Sequence, residues 1–414
     1  MTITPEQPRH RGGVTSDRLT FGLSGLVTQA DGTSPAAYHD AVRTAVEAAV
    51  LAEEVGLDAV WTSEHHFSSS GFVPAPFVLL AAMGERTERV TIGTDVMLPS
   101  MWDPVRFAEE AALVDQLSGG RLLLALGIGY RDHEFEGLGL RRRDRVARFE
   151  ECIRVLRESV GGTVSGVGLN PGETLPTSPT PLQAGGPPIW GGGKVEAAVR
   201  RARRVTEGYF ASMMSPDGLR RRIGWLDDEA PLDDFALAQT MLLFVAGSNR
   251  AAEDISAPGM RRVQGYMQSW KAESEPGGEA AIREEIVDSA TWRPGDEWQA
   301  ATPRPDLTDE ERLTHALVIG DPDHCVERLT PFVEALARAP GNGPRHLSAR
   351  LVYPAISAAD TAECIRLFAT EVVPPLHEVF MARGRRADGN DNQINPIRQP
   401  PRERRESINE GAVQ

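Results

Sequence analysis

The chain has 414 residues, of which 25% are charged and 41% apolar or aromatic, which suits one large packed domain with appendages and argues against bulk disorder. A formal charge of −15 argues against a protein that tracks nucleic-acid phosphates or lies on an anionic membrane surface. Cys152, Cys325 and Cys364 are odd in number and widely spaced, so they read as buried thiols in a reducing cytoplasm rather than as a disulfide frame or a metal site.

Both ends carry little apolar pattern, and residues 1–18 and 384–414 are expected to be flexible tails. No N-terminal leader and no apolar run of bilayer length is legible. Between the tails, apolar stretches of strand length alternate with stretches of helical period. Strands are expected at Thr20–Thr28, Ala59–Ser63, Val90–Leu98, Arg121–Gly127, Pro188–Gly191, Gly208–Met214, Phe235–Ala246 and His346–Tyr353. Helices follow at His39–Val55, Pro76–Glu85, Asp103–Gln116, Asp144–Ser159, Val195–Val205, Pro216–Asp227, Asp323–Leu336 and Ala359–Val372. Eight strand–helix units predict an α/β fold, a (β/α)8 TIM barrel over residues 19–383. An open doubly wound sheet would place a glycine-rich phosphate loop after its first strand, and Phe21-Gly22-Leu23-Ser24-Gly25 is too sparse in glycine for that. The Arg-rich runs at 141–148 and 200–204 are interleaved with apolar residues at helical spacing and read as solvated helix faces.

One segment breaks the rhythm. Residues 249–315, between the seventh strand and its helix, are too long for a structureless loop, so short helices are expected there. Emerging from the C-terminal rim, they form either a mobile lid over the site or an inert insertion.

Barrel chemistry sits at the C-terminal strand ends. The second strand ends in WTSEHHF, residues 61–67, and alternation sends Ser63 and His65 to one side, Glu64 and His66 to the other. The adjacent imidazoles therefore do not form a His-x-His chelate, and no metal is expected. His65 is placed for proton transfer near neutral pH, the plain alternative being a structural imidazole bonded to backbone. Glu64 either orients it or caps the loop. After the fourth strand, Gly127-Ile128-Gly129-Tyr130 offers close backbone approach to a ligand. After the fifth, Gly191, Gly192, Gly193 and Lys194 run into a helix start, an arrangement that suits a phosphate as well as a plain turn.

In this order, WTSEHHF, IGTDVMLPSMWDPVRFAEEAALVDQLSGGRLLLALGIGY, RDHEFEGLG, PPIWGGGKVEAAVRRARRVTEGYF and LVIGDPDHCVERL resemble the bacterial luciferase-like superfamily of flavin-dependent oxidoreductases. The resemblance implies a flavin across the barrel mouth, His65 as the catalytic histidine with Glu64 as its acidic neighbour, and Gly191–Lys194 as the phosphate-holding turn. It further implies a non-proline cis peptide at Asp95-Val96 beneath the flavin ring, with Gly127, Gly129 and Tyr130 beside the cofactor. Asp95 departs from the small residues commoner there, and Ile128 stands where luciferase has a phosphate-binding arginine. The implied activity is that of a monooxygenase. It takes reduced FMN from a separate flavin reductase, oxygenates a small organic substrate with O2 through a C4a-peroxyflavin, and works as a homodimer. Hydride transfer with the deazaflavin F420, and a non-catalytic flavin-binding subunit, are the alternatives.

Overall fold

The computed structural model describes residues 14, 18–30, 34–68, 71–165, 170, 172–273 and 317–387. The eight expected strands are present as β1 (Leu19–Ser24), β2 (Ala59–Thr62), β3 (Thr91–Met97), β4 (Leu122–Leu126), β7 (Ile189–Gly192), β8 (Gly208–Ser212), β9 (Ala236–Val245) and β11 (Arg345–Arg350). All pair in parallel. The ring runs β9-β11-β1-β2-β3-β4-β7-β8 and closes through β8 onto β9, which makes the (β/α)8 barrel.

Three strands lie outside the expected set. A short antiparallel hairpin joins β5 (Thr163–Ser165) to β6 (Thr174–Pro176), and β10 (Leu317–Gly320) pairs with the far end of β9, Leu242–Val245. The expected short helices in the insertion are replaced at its start by one helix of 25 residues, Asn249–Glu273. Residues 274–315, the rest of the expected lid, lie outside the described residues, as do nearly all of the expected tails. A Cβ on Gly259 of that helix would lie 2.8 Å from the Tyr353 side chain and 3.0 Å from the Pro354 carbonyl, so the helix packs on the loop leaving β11. At the other end of the chain, the expected helix Ala359–Val372 passes through a π turn at Phe368–Val372 into a further helix, Val373–Ala387. This helix, which carries Pro374 and Pro375, was not among those expected.

Helix starts follow a simple local chemistry. α1 (Pro35–Glu54), α3 (Pro104–Leu117), α7 (Pro216–Glu229) and α9 (Pro322–Ala337) each begin with proline after a Ser or Asp cap. Ser34 accepts from the Ala37 N–H, Asp103 from Val105 and Arg106, Ser215 from Gly218, and Asp321 from His324.

Alternation along each strand divides the apolar residues between two cores. Leu122, Leu124 and Leu126 of β4 join the layer between strands and helices, while Leu123 and Ala125 turn inward with Ala59, Trp61, Trp190, Phe210, Ala236 and Ala238. Inside the barrel, Trp61 meets Phe210 edge-on at 5.1 Å and His346 at 5.2 Å. His346 is fully buried, and its Nε2 accepts from the Trp61 indole N–H at 2.9 Å. Because indole only donates, the neutral ring carries its proton on Nδ1, which donates to Thr20 Oγ1 at 2.9 Å. Thr20 in turn donates to the Arg345 carbonyl at 3.1 Å. A Cβ at Gly22 would lie 2.5 Å from the indole nitrogen, so this strand position tolerates no side chain.

Burial pushes the His346 imidazole down to about 3, so the folded chain keeps it neutral while the unfolded chain protonates it near 6.5. Its effect on stability is therefore absent above pH about 6.5, and stability falls as pH drops from there toward about 3. His346→Phe strands the indole N–H and is expected to cost about 1–3 kcal/mol near neutral pH. Urea unfolding of variant and wild type from about pH 4 to 8 checks both effects, since the variant should lose this acid-side slope.

Candidate active site

The mouth of the barrel is built around Val96. The Asp95-Val96 peptide is cis, as the resemblance implies. Strand pairing between β3 and β4 shifts register at this point, between Asp95 and Met97. The Val96 side chain packs against the interior cluster of the barrel. A Cβ on Gly127 or on Gly192 would lie 2.8 Å from one of the two Val96 methyl groups, so both strand ends must be bare for Val96 to fit between them. From the other flank, the Glu64 N–H donates to the Val96 carbonyl at 3.2 Å. The ends of β2, β3, β4 and β7 thus converge on Val96, which brings the segment bearing His65 to the same rim as the glycine turn.

His65 stands at this rim between Phe72 and Tyr130, with ring centroids 4.9 and 6.3 Å away. The neighbour that orients it is Glu134, whose Oε1 lies 2.9 Å from Nδ1. Glu134 is fully buried in the short helix α4 (Asp132–Gly137). The same oxygen also accepts from the His66 N–H at 3.0 Å and from the buried Arg131 guanidinium at 2.8 Å. Burial alone would raise this carboxyl; His65, Arg131 and the His66 N–H outweigh it and hold Glu134 below the usual carboxylate range.

Of the two roles expected for Glu64, orienting His65 or capping the loop, the geometry matches the second. Its carboxylate is turned away from His65 into the wall, where it accepts from the Leu98 N–H at 2.7 Å, the Trp102 indole at 2.8 Å and His66 Nε2 at 2.9 Å. It ties the loop after β2 to the loop after β3 and so positions rather than reacts. The two imidazoles, one on each carboxylate, diverge as alternation requires. Among the described residues no cluster of three or more His, Cys, Asp or Glu could hold a metal.

Of the glycines at the end of β7 and just after it, Gly192 is the one whose Cβ position points to Val96. A Cβ on Gly191 or Gly193 would lie 2.5 Å from Ala202 or Ala198 of α6 (Glu196–Val205), so these two let the helix pack closely. The turn is braced from below, with the Tyr209 hydroxyl donating to the Gly193 carbonyl at 2.6 Å and Arg222 to the Lys194 carbonyl at 2.7 and 3.0 Å. A Cβ on Gly129 would lie 3.1 Å from Met101 and from Phe135, and its backbone is left-handed.

Asp95 sits on the floor beside Val96. Its Oδ2 accepts from the Ser24 hydroxyl and from Thr240 Oγ1 at 3.4 Å. Burial pushes its carboxyl up to about 7, against the opposing effects of Ser24, Arg350 and Thr240. Sequence reading missed Arg131, Glu134, Ser24, Thr240, Arg350, Tyr209 and Arg222. Only Arg131 and Glu134 had a signal, inside RDHEFEG.

The family model for luciferase-like monooxygenases matches residues 19–339, well over half of the chain. The chain belongs to that family. The oxygenase component of a flavin-dependent trigonelline monooxygenase from Acinetobacter baylyi is 31% identical over 150 residues, 35% of this chain and 41% of that protein. An F420-dependent glucose-6-phosphate dehydrogenase from Amycolatopsis mediterranei is 39% identical over 123 residues, 28% of this chain and 37% of that protein. Such alignments span about half, or less, of the curated relatives' lengths. In fold, the chain is similar to the oxygenating constituent of 3,6-diketocamphane monooxygenase from Pseudomonas putida, solved with FMN. That likeness has a TM-score of 0.64 at 17% identity and covers 86% of this chain and 98% of the other. Among the described residues no helix is long and apolar enough to cross a membrane.

The His66–Glu64 pair links the site to stability. Burial opposes charge on His66, but the hydrogen bond and charge of Glu64 win and raise it above its ordinary 6.5. Its stabilisation is complete below pH about 6.5 and fades as pH rises through the higher folded value. Thermal melts of wild type and His66→Phe between about pH 6 and 9 should show this alkaline loss in the wild type alone.

Proposed function

We propose that the protein is a flavin-dependent monooxygenase that uses reduced FMN and O2 to oxygenate a small organic substrate. The observation that carries this reading is the His65–Glu134 pair at the rim of a seat made by Val96, Gly127 and Gly192. The bare, apolar seat fits a planar ring. The braced turn at Gly192–Lys194 fits the ring's phosphate, because the first N–H groups of α6 have no partner within the helix. When bound, the reduced flavin supplies the electrons and activates O2.

The chain's own part is orientation and proton handling. Ionised Glu134 accepts the Nδ1–H of His65, which fixes the tautomer and makes Nε2 the atom that takes or gives a proton. Phe72 and Tyr130 pack edge-on against that ring. Glu64 holds the two loops at their spacing, Lys194 adds positive charge at the phosphate turn, and Tyr130 borders the cofactor beside His65. Reduced FMN comes from a separate reductase, and the working unit is a homodimer.

A second reading, hydride transfer with F420, is favoured by the 39% identity to the F420-dependent dehydrogenase. Titrating the protein with FMN and F420 side by side separates the two; binding of F420 alone would overturn the first. With FMN, a flavin reductase and an accepted substrate, His65→Ala is expected to lose about 10²–10⁴-fold in turnover while its affinity for FMN changes only a few-fold. Glu134→Gln keeps the hydrogen bond but not the charge and should lose about tenfold or more. Unchanged turnover in His65→Ala would sink the assignment.

A further inference from the structure

The floor of the mouth contains a polar cluster that seating a ring does not require. Ser24 ends β1, Asp95 lies near the end of β3, Thr240 is in β9 and Arg350 ends β11, and all four turn into the upper barrel. Both donors to Asp95 reach Oδ2. Oδ1 accepts no hydrogen bond from the described residues, yet it is not among the fully enclosed polar atoms that lack a partner. This half-buried side chain therefore opens that oxygen onto the mouth. The strands flanking β3 bring no titratable group against the carboxyl: Trp61 and Thr62 come from β2, Leu123 and Ala125 from β4. Ser24 and Thr240 are neutral, so Arg350 is the charged group that bears on it. Its guanidinium is shared with Gln29 Oε1 at 2.8 Å and lies over the Tyr353 ring.

We propose that Asp95 is a proton-holding group of the mouth, one that takes a proton from solvent when the anionic, reduced form of the flavin is seated on Val96. This rests on the flavin reading above. An ionised carboxylate one residue from the seat of a negative ring would put two like charges in a site of low dielectric constant. One proton on Oδ1 removes the repulsion and leaves an O–H facing the ring. The oxidised ring is neutral and makes no such demand. Burial by the protein alone already brings the carboxyl up to about 7, so the proton is exchangeable under ordinary conditions. Asp95 thereby favours the reduced cofactor at neutral pH and releases it as the medium turns alkaline.

The test is anaerobic fluorescence titration of the apo-protein with reduced and with oxidised FMN, from about pH 7 to about pH 9. In the wild type, the dissociation constant for reduced FMN, relative to that for oxidised FMN, should weaken about tenfold per pH unit above the Asp95 transition. For a two-electron couple this is about 30 mV in the bound midpoint potential per unit. Asp95→Asn keeps the shape without the titration, and the ratio should become flat. Ser24→Ala removes a donor to the carboxylate, and the transition should move to higher pH with Asp95 still in place. Equal pH dependence in wild type and Asp95→Asn, or an unmoved transition in Ser24→Ala, overturns the role of Asp95 and leaves the flavin reading standing. Failure of either form of FMN to bind overturns both.

Discussion

A single buried oxygen, Oε1 of Glu134, collects the Nδ1–H of His65, the backbone N–H of His66 and the guanidinium of Arg131. Three donors on one acceptor compensate for taking a carboxylate out of water and keep it charged. That charge fixes the tautomer of His65, its direction and the path of the loop leaving β2. Glu64 does the same for the neighbouring loop with its own three donors. The rim is held by two buried carboxyl groups, each hydrogen-bonded to one imidazole and to backbone or side-chain donors of the neighbouring loops.

Beneath the rim, the fold supplies a floor by filling its own interior. Trp61, Trp190, Phe210 and His346 occupy the barrel, and Gly22 is bare where the Trp61–His346 bond needs room. With the lower interior closed by close packing, Val96 rests on a solid layer between Gly127 and Gly192. Rigid support below and charge-fixed loops above are the two halves of a preorganised site. Asp95 interrupts this apolar floor with a carboxyl near its point of ionisation, and in a tightly built site such a group is the one whose charge a ligand can change.

The barrel was legible because its signals are local and repeated. Alternation in RLLLALG sends Leu122, Leu124 and Leu126 one way and Leu123 and Ala125 the other, and a Ser-Pro or Asp-Pro step opens several helices. His65 was legible for the same reason, as a polar residue at the end of an apolar strand. The cis bond at Asp95-Val96 came from family resemblance, since nothing in those two side chains announces it. The helix beyond Val372 was not expected from sequence; a π turn carries the chain into it.

The chain order of residues settled the eight barrel strands, but not the three outside the barrel, and placed His65 and Gly192 at strand ends, because period and punctuation are properties of neighbours in sequence. Which carboxylate serves which imidazole was decided only in three dimensions. Glu64 adjoins His65 in the chain yet bonds His66, Trp102 and Leu98, while Glu134, 69 positions on, folds back to hold His65. Likewise Ser24, Asp95, Thr240 and Arg350 meet only because four strands share one barrel, and burial of that meeting point, not any motif, moves the carboxyl toward neutrality. Hydrogen bonds and desolvation act through space, and their partners are named by the fold.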